Sequence, residues 1–298
     1  MSPSTLSPTA PPTVSTWQVQ PLTGCLGAEV RGVDLGEVSR DEQAFTSLRQ
    51  LLLEHKVLFF RDQSMSRDEH VALGQLLGPL EDHPALPSDD DHPGLVRIYK
   101  DLDSPPERYE NAFHSDGSWR EEPSTASILR CVECPPSSGD TIWVDMVRAL
   151  ADLPAEIRTK IAGLRARHSI EATFGAVLPQ AERQALAQAY PDAEHPVVRT
   201  HPETGEQILY VNSFTTHFVN FHTPDHVRHG TDFAQGASAL MDYLKSRAMI
   251  PEYQVRWRWE PGSVAIWDNR ATQHYAVMDY WPAVRRMERV SVCGDRPF

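Results

Sequence analysis

A chain of 298 residues that is 40% hydrophobic and 23% charged has the composition of an ordinary globular protein. Its formal net charge is −13 at pH 7, so the overall field repels nucleic acids and anionic membrane surfaces, and a small molecule is the expected partner. No apolar run in the sequence approaches the roughly 18 residues that a membrane helix needs.

The chain begins with MSPSTLSPTAPPTVST, which is rich in Pro, Ser and Thr. This stretch lacks the basic head and the apolar middle of a signal peptide. We therefore expect a disordered tail over residues 1–16, a single domain over residues 17–298 and a cytoplasmic location.

The sequence of the N-terminal third predicts a helix, then a strand, then a second helix. SRDE at 39–42 has the form of a capping box, and apolar residues then recur at helical spacing as far as Glu54. VLFF at 57–60 predicts a buried strand, and a second SRDE at 66–69 opens another helix. Residues 81–112 are rich in Pro and Asp, which predicts a long irregular loop.

Short strands alternate with helices in the rest of the chain. In YQVRWRW at 253–259 apolar and polar residues alternate, which is typical of a strand with one buried face. Many short strands with helices around them predict a mainly β fold with decorating helices, a β-sandwich or jelly roll. The predicted strands are 127–132, 164–170, 197–200, 208–211 and 264–267, and the predicted helices lie near 146–162, 180–190 and 231–248.

Two pairs of residues have the spacing of metal ligands, but we do not expect either pair to bind a metal. Cys131 and Cys134 have the spacing of half a zinc site, but the sequence contains no second CxxC, so we expect reduced structural thiols. His201 and Glu203 form a His-x-Glu pair in a polar turn, where we expect both side chains to be solvated.

The segment FHSDGSW at 113–119 contains a stronger metal-binding candidate. On a strand, His114 and Asp116 would face the same side, and an imidazole with a carboxylate suits a divalent first-row metal. A third ligand candidate, His274, ends the polar loop WDNRATQH at 267–274. Two histidines and one carboxylate form a facial triad that leaves coordination positions open on ferrous iron, whereas a structural zinc site closes its shell.

Arginines near the C-terminus suggest an anionic ligand. Arg285 and Arg289 are four residues apart, so on a strand they face the same side. A guanidinium is a fixed fork of donors that suits a carboxylate, so the pair fits a dicarboxylate co-substrate, a second anion, or both. For Arg286 we expect a solvated strand edge.

Four motifs together resemble the taurine dioxygenase (TauD/TfdA) family of Fe(II)- and 2-oxoglutarate-dependent dioxygenases. They are HSD at 114–116, GDTIW at 139–143, WDNRATQH at 267–274 and the spaced Arg285 and Arg289. The resemblance extends from about Gln18 to Phe298 and implies a double-stranded β-helix, or jelly roll. It further implies Fe(II), 2-oxoglutarate and O2 as cofactor and co-substrates, succinate and CO2 as co-products, and a homo-oligomer.

The resemblance also implies individual roles. His114, Asp116 and His274 are expected to ligate iron and form the catalytic centre. Thr141 and Arg285 are expected to hold the distal carboxylate of 2-oxoglutarate, and Arg289 is expected to support that carboxylate or to meet the substrate anion.

The substrate pocket departs from that of the family's taurine-oxidising members. His83 matches a substrate-binding histidine, but Leu86 stands where those members have a tyrosine, and Glu110, with Asn111 beside it, where they have an asparagine. Gly117-Ser118-Trp119 replaces Val-Thr-Phe. Together with Phe214 as a further wall, these changes predict a bulkier substrate than taurine: a larger sulfonate, an alkyl sulfate or an aryloxyalkanoate.

Three other functions are compatible with parts of this pattern. A tailoring oxygenase of the same family would use the same residues on a natural product. A metal-dependent hydrolase would use the three ligands with a metal-bound water as nucleophile, but it would leave Thr141 and Arg285 without a role. A jelly-roll binding module without catalysis would be expected to have a broken triad, and all three ligands are present.

Overall fold

The computed structural model describes residues 17–83, 88–104, 111–221 and 235–298. The predicted tail lies outside these ranges. The helices are α1 (Leu35–Val38), α2 (Glu42–His55), α3 (Arg67–Leu77), α4 (Met146–Ala151), α5 (Ala155–Ile161), α6 (Gln180–Ala189) and α7 (Gln235–Ser246). The strands are β1 (Gln18–Pro21), β2 (Ala28–Arg31), β3 (Val57–Phe60), β4 (Leu95–Lys100), β5 (Ala126–Glu133), β6 (Thr141–Asp145), β7 (Arg165–His168), β8 (Ala193–Pro196), β9 (Val198–Thr200), β10 (Gln207–Leu209), β11 (Thr215–Phe218), β12 (Gln254–Trp257), β13 (Val264–Asp268), β14 (Thr272–Ala276) and β15 (Arg285–Val292).

Two sheets form the framework of the fold. The major sheet has seven strands in the order β1-β2-β3-β13-β5-β15-β4, and all its neighbours are antiparallel except β2 and β3. The minor sheet has the order β12-β6-β14 and is antiparallel throughout. Strands β11-β7-β8 and the hairpin β9-β10 form two further small sheets. The molecule is mainly β with helices around the sheets, and the sheets remain open.

An aromatic layer joins the inner faces of the major and minor sheets. Phe59 of β3 stacks on Trp257 of β12 with ring centroids 4.4 Å apart, and it meets the edge of Trp143 of β6 at 5.2 Å. Trp257 and Val255 are buried while Arg256 between them is exposed, so the predicted alternation in this strand is confirmed. Large aromatic side chains thus set the spacing between the sheets that carry the site.

Local hydrogen bonding explains where the first long helices begin. Ser66 caps α3 with the predicted reciprocal capping box. The box predicted at 39–42 is wrong, because Asp41 is the N-cap of α2 and its carboxylate accepts from two backbone N–H groups. Ser39 instead ends α1, and its hydroxyl donates to the carbonyl of Gly36. An acidic side chain next to the helix competes successfully with a serine two residues earlier.

Two other predicted segments differ from the structure, and the start of a third lies outside the described residues. The region 81–112, expected to be a loop, contains the short edge strand β4, which was not predicted because the residues around it are rich in Pro and Asp. Residues 84–87 and 105–110 of this region lie outside the described ranges. The helix expected at 146–162 is two helices, because Pro154 cannot continue the first. In the region predicted helical over 231–248, the described part begins at Gln235. Within the described residues no helix is both long and apolar enough to cross a membrane.

Helix α3 packs on the outer face of the major sheet and buries His70 completely. Its Nε2 lies 3.0 Å from the carbonyl oxygen of Ile128 and donates to it in the neutral ring. Burial lowers the pKa of His70 from 6.5 to about 4. Between pH 6.5 and 4 the unfolded chain therefore binds a proton at His70 that the folded protein does not bind. Stability present at pH 7 is lost as the pH falls through this range.

Replacement of His70 by glutamine is expected to weaken this pH dependence. The glutamine amide still donates to Ile128 but cannot titrate, so the variant should lose about 2 kcal/mol less unfolding free energy than the wild type between pH 7 and pH 5. Urea denaturation of both proteins at the two pH values measures the difference. Equal losses in both proteins would contradict the assignment of acid sensitivity to His70.

Candidate metal centre and adjoining pockets

A short backbone bridge brings two of the predicted ligands together. His274 lies in β14, and its N–H donates to the carbonyl of His114 at 2.8 Å while the His114 N–H donates to the carbonyl of His274 at 3.0 Å. The expectation that His114 and Asp116 share a strand is wrong. His114 makes only this isolated bridge, and Asp116 lies in the turn that follows. The turn, rather than strand alternation, directs the carboxylate towards the two rings.

The three predicted ligands form a compact buried cluster. One donor atom from each of His114, Asp116 and His274 lies within 4.8 Å of the others. The Asp116 carboxylate lies 3.7 Å from Nε2 of His114 and 3.8 Å from Nε2 of His274. Nδ1 of His114 donates to the carbonyl of Ala112 at 2.7 Å, which leaves the Nε2 lone pair directed at the cluster. Two imidazoles and one carboxylate at this spacing fit a divalent metal with open coordination positions.

Charge around the cluster favours the forms that bind a metal. Burial raises the pKa of Asp116, but Arg289 and the two histidines outweigh that effect and hold the pKa well below its usual value. Arg289 donates from Nη1 to both carboxylate oxygens, at 3.0 and 3.1 Å. Burial lowers the pKa of His274 to about 3. At neutral pH the aspartate is therefore ionised and His274 is neutral, as metal ligation requires.

A cavity beside the cluster contains the residues predicted to bind the co-substrate. Thr141, Arg285 and Arg289 line it together with His114 and His274, and Trp267 and Tyr280 add apolar wall. Thr141 and Arg285 are 2% and 5% exposed, so an anion in this cavity would be shielded from water. Arg286, between the two cavity arginines, is half-exposed and paired with Glu133, as expected for a solvated side chain. The expectation of an edge is wrong, because β15 lies between β5 and β4 in the major sheet.

Neighbouring groups orient the cavity-lining polar side chains. The indole N–H of Trp259 donates to the Thr141 hydroxyl oxygen at 2.9 Å. Arg285 donates from Nε to the carbonyl of Gly139 at 3.1 Å, and this glycine has a φ of 77° and leaves little room for a side chain beside the arginine. Lys100 also lines the cavity and stands directly opposite Arg285 in the pairing of β4 with β15. Lys100 is not among the predicted site residues because its strand, β4, was not predicted.

An aromatic wall adjoins the cluster on the side of Trp119 and Phe214. Their rings lie 4.6 Å apart, and Phe214 meets the ring of His114 at 5.9 Å. Phe174, which was not among the predicted site residues, packs on both rings. His83 meets the ring of Trp119 at 6.5 Å, and burial lowers its pKa to about 3, so it is neutral at pH 7. These residues form a largely apolar surface next to the metal cluster.

The other positions expected to line the substrate pocket are Asn111, Gly117, Leu86 and Glu110. Asn111 has a buried side-chain oxygen that accepts no hydrogen bond from the described residues. Gly117 has a φ of 68°, and a Cβ there would lie 2.8 Å from the hydroxyl oxygen of Ser124, so the turn itself requires glycine. Leu86 and Glu110 lie outside the described residues.

The histidine and the glutamate of the His201-Pro202-Glu203 segment lie in different environments. Glu203 is exposed as expected, but His201 is 2% exposed and its Nε2 donates to the carboxylate of Asp268 at 2.9 Å. The expectation of a solvated histidine is wrong because the turn folds back onto the end of β13, where Asp268 lies. Cys131 and Cys134 are free thiols. Neither pair contributes to the metal cluster.

The chain resembles proteins of one family over nearly its whole length. Residues 18–291 match the family described as "Taurine catabolism dioxygenase TauD, TfdA family". The chain is 35% identical over 287 residues to an alpha-ketoglutarate-dependent sulfate ester dioxygenase of Pseudomonas putida, with 94% of this chain and 90% of the relative covered. It is 35% identical to an alkylsulfatase of Acinetobacter baylyi, with 93% and 85% covered.

A solved structure supports the same relationship. The crystal structure of a taurine dioxygenase from Burkholderia xenovorans superposes with a TM-score of 0.76 at 36% identity, over 94% of this chain and 90% of that one. The predicted jelly-roll fold is thereby confirmed, and so are the dioxygenase activity and the dependence on Fe(II), 2-oxoglutarate and O2. The chain belongs to the TauD/TfdA family of Fe(II)- and 2-oxoglutarate-dependent dioxygenases.

Proposed function

We propose that this dioxygenase hydroxylates alkyl sulfate esters at the carbon that bears the ester oxygen. The product of such a hydroxylation is a hemiacetal-type sulfate, which collapses to an aldehyde and releases sulfate. The observation that carries the proposal is an apolar aromatic wall, Trp119 with Phe214, directly beside a buried His2Asp cluster. The relatives named as a sulfate ester dioxygenase and an alkylsulfatase are each 35% identical to this chain over the aligned residues, against 28% for a 2,4-dichlorophenoxyacetate dioxygenase.

In this proposal His114, Asp116 and His274 hold Fe(II). The bound iron, with 2-oxoglutarate and O2, supplies the oxidising chemistry and yields succinate and CO2. The protein's own contribution is to orient the His114 ring through its Nδ1 hydrogen bond to Ala112, to supply one negative charge through Asp116, and to exclude water from the buried cluster.

The co-substrate would be held by the cations of the adjoining cavity. Arg285 offers a guanidinium whose orientation is fixed by Gly139, and Thr141 offers a hydroxyl whose oxygen already accepts from Trp259. These groups suit the distal carboxylate of 2-oxoglutarate. Arg289 stands between this cavity and Asp116, so it would anchor the metal ligand and face an anion at the same time.

The substrate would lie between the iron ligands and the aromatic wall. The alkyl chain would contact Trp119 and Phe214, while His83, neutral at pH 7, and Asn111 would donate hydrogen bonds to the sulfate oxygens. Gly117 would keep the turn beneath the substrate tight. Tailoring of a natural product, a cytoplasmic location and homo-oligomerisation stay predictions.

A substrate panel tests the proposal. Hexyl sulfate, taurine and 2,4-dichlorophenoxyacetate are each incubated with Fe(II), 2-oxoglutarate and O2, and succinate is measured together with sulfate, sulfite and phenol. We expect hexyl sulfate to give stoichiometric succinate and sulfate. Faster sulfite release from taurine or phenol release from the aryloxyacetate would contradict the substrate class. Sulfate release without O2 or 2-oxoglutarate would indicate the hydrolase instead.

The aromatic wall can be tested by replacing Trp119 with leucine. Loss of aromatic contact area is expected to raise the KM for hexyl sulfate about 10-fold, which corresponds to about 1.4 kcal/mol of lost apolar contact. The KM for 2-oxoglutarate should not change, because Trp119 does not line the cavity that contains Thr141 and Arg285. Trp281→Leu is the control, as Trp281 is 49% exposed. An unchanged KM for hexyl sulfate in folded Trp119→Leu would remove Trp119 from the substrate site.

A further inference from the structure

We propose that Asn269 is a positioning residue that holds the Asp116 ligand through the backbone of its turn. Asn269 lies in the connection between β13 and β14 and is 1% exposed. Its side-chain oxygen accepts from the N–H of Asp116 at 2.9 Å. Its Nδ2 donates to the carbonyl oxygens of Asp116 and Ser124, both at 2.8 Å. One side chain therefore satisfies both backbone groups of the ligand residue.

The backbone groups of Asp116 require hydrogen-bond partners that no neighbouring strand among the described residues provides. Buried backbone N–H and C=O groups require hydrogen bonds, and Asp116 lies outside every strand of the described chain. An asparagine amide carries a donor and an acceptor side by side, so it reproduces the bridge that a neighbouring strand would make. Its bond to Ser124 also ties the turn to the residues that lead into β5. The direction of the Asp116 carboxylate thus depends on Asn269.

Asn269 is itself held firmly. Its own N–H donates to the carbonyl of Thr125 at 2.9 Å. The residues on both sides are fixed by a buried ion pair, since Asp268 accepts from the guanidinium of Arg270 at 2.6 Å and from His201 at 2.9 Å. A rigid frame on β13 and β14 is therefore connected to a ligand 153 positions earlier in the chain. Precise ligand placement requires this kind of support from outside the ligand set.

The test measures metal affinity directly and rests on the proposed function, in which Asp116 is a ligand. Co(II) is titrated anaerobically into the full-length apoprotein, and its d–d absorption gives the Kd. Asn269→Ala is expected to raise the Kd about 10- to 100-fold, the usual effect of losing a residue that orients a metal ligand. Asn269→Ser, which keeps one small polar group, is expected to fall between alanine and wild type and serves if the alanine variant does not fold.

Asn220 offers a matched control. Its side chain also bridges backbone groups, accepting from Arg165 N–H at 2.7 Å and donating to the carbonyl of Gly163 at 2.9 Å, and neither bond involves a residue of the metal cluster. Asn220→Ala should lower the thermal unfolding temperature while leaving the Co(II) Kd within about 2-fold of wild type. Equal Kd increases in the two alanine variants would show a general stability effect and overturn the proposal.

A double-mutant cycle distinguishes an effect of Asn269 that acts through Asp116 from a general effect on stability. If Asn269 acts through Asp116, then removing Asn269 in an Asp116→Ala background should change the Kd by less than about 2-fold. A raised Kd in Asp116→Ala but a wild-type Kd in Asn269→Ala overturns the positioning role and leaves the metal site intact. A wild-type Kd in Asp116→Ala overturns the metal site itself.

Discussion

Replacing Asp116 with alanine is expected to abolish iron-dependent succinate formation. The substitution removes the one negatively charged ligand of the cluster, and metal ions contribute several kcal/mol to transition-state stabilisation, so a loss of roughly 1000-fold or more is expected. The measurement is succinate release at saturating Fe(II), 2-oxoglutarate and hexyl sulfate.

Asp116 also affects folding, which calls for a second variant. In the alanine variant the guanidinium of Arg289, itself buried, loses the carboxylate that accepts both of its Nη1 hydrogen bonds. Breaking a buried ion pair in this way costs about 3–5 kcal/mol of stability. Asp116→Asn keeps the volume and an oxygen that accepts from Arg289 but removes the charge. Wild-type succinate formation by either folded variant would disprove the proposed iron site.

The second large effect is expected at Arg285. Arg285→Gln removes the guanidinium proposed to bind the distal carboxylate of 2-oxoglutarate, and losing one member of a buried charge pair costs about 2–5 kcal/mol. The KM for 2-oxoglutarate should therefore rise at least about 30-fold. The Kd for Co(II) in the absence of 2-oxoglutarate should stay near the wild-type value, because Arg285 is not part of the metal cluster.

Arg286→Gln is the matched control for this prediction. Arg286 is the next residue on β15, but its side chain is 42% exposed and paired with Glu133 at the surface. Surface ion pairs contribute only about 0–1 kcal/mol, so this variant should keep the wild-type KM for 2-oxoglutarate. Similar KM values in the two variants would mean that the cavity beside Thr141 is not the co-substrate site.

Much of the fold followed from local patterns. The capping box at Ser66 and the alternation around Trp257 depend on hydrogen bonds and side-chain periods that extend over a few residues, and both predictions are confirmed. The edge strand β4 was missed because the residues around it are rich in Pro and Asp, although LVRIYK at 95–100 consists largely of strand-forming residues.

The chemistry of the candidate site was also visible in the residue types. His114, Asp116 and His274 could be singled out because two imidazoles and a carboxylate form a donor set with known metal preferences. The expectation that His114 and Asp116 share a strand was wrong, since His114 makes an isolated bridge to His274 and Asp116 lies in the following turn. Residue identity specifies what a ligand can bind, whereas backbone geometry specifies where it points.

The sequence by itself determined the family motifs, the helix and strand periods and the types of group available for metal and carboxylate binding. Only the tertiary structure decided which of these groups meet. The pairing of Arg289 with Asp116, the support of Asp116 by Asn269 and the burial of His201 against Asp268 each join distant parts of the chain. Such contacts depend on how the sheets pack, and no local pattern encodes that arrangement.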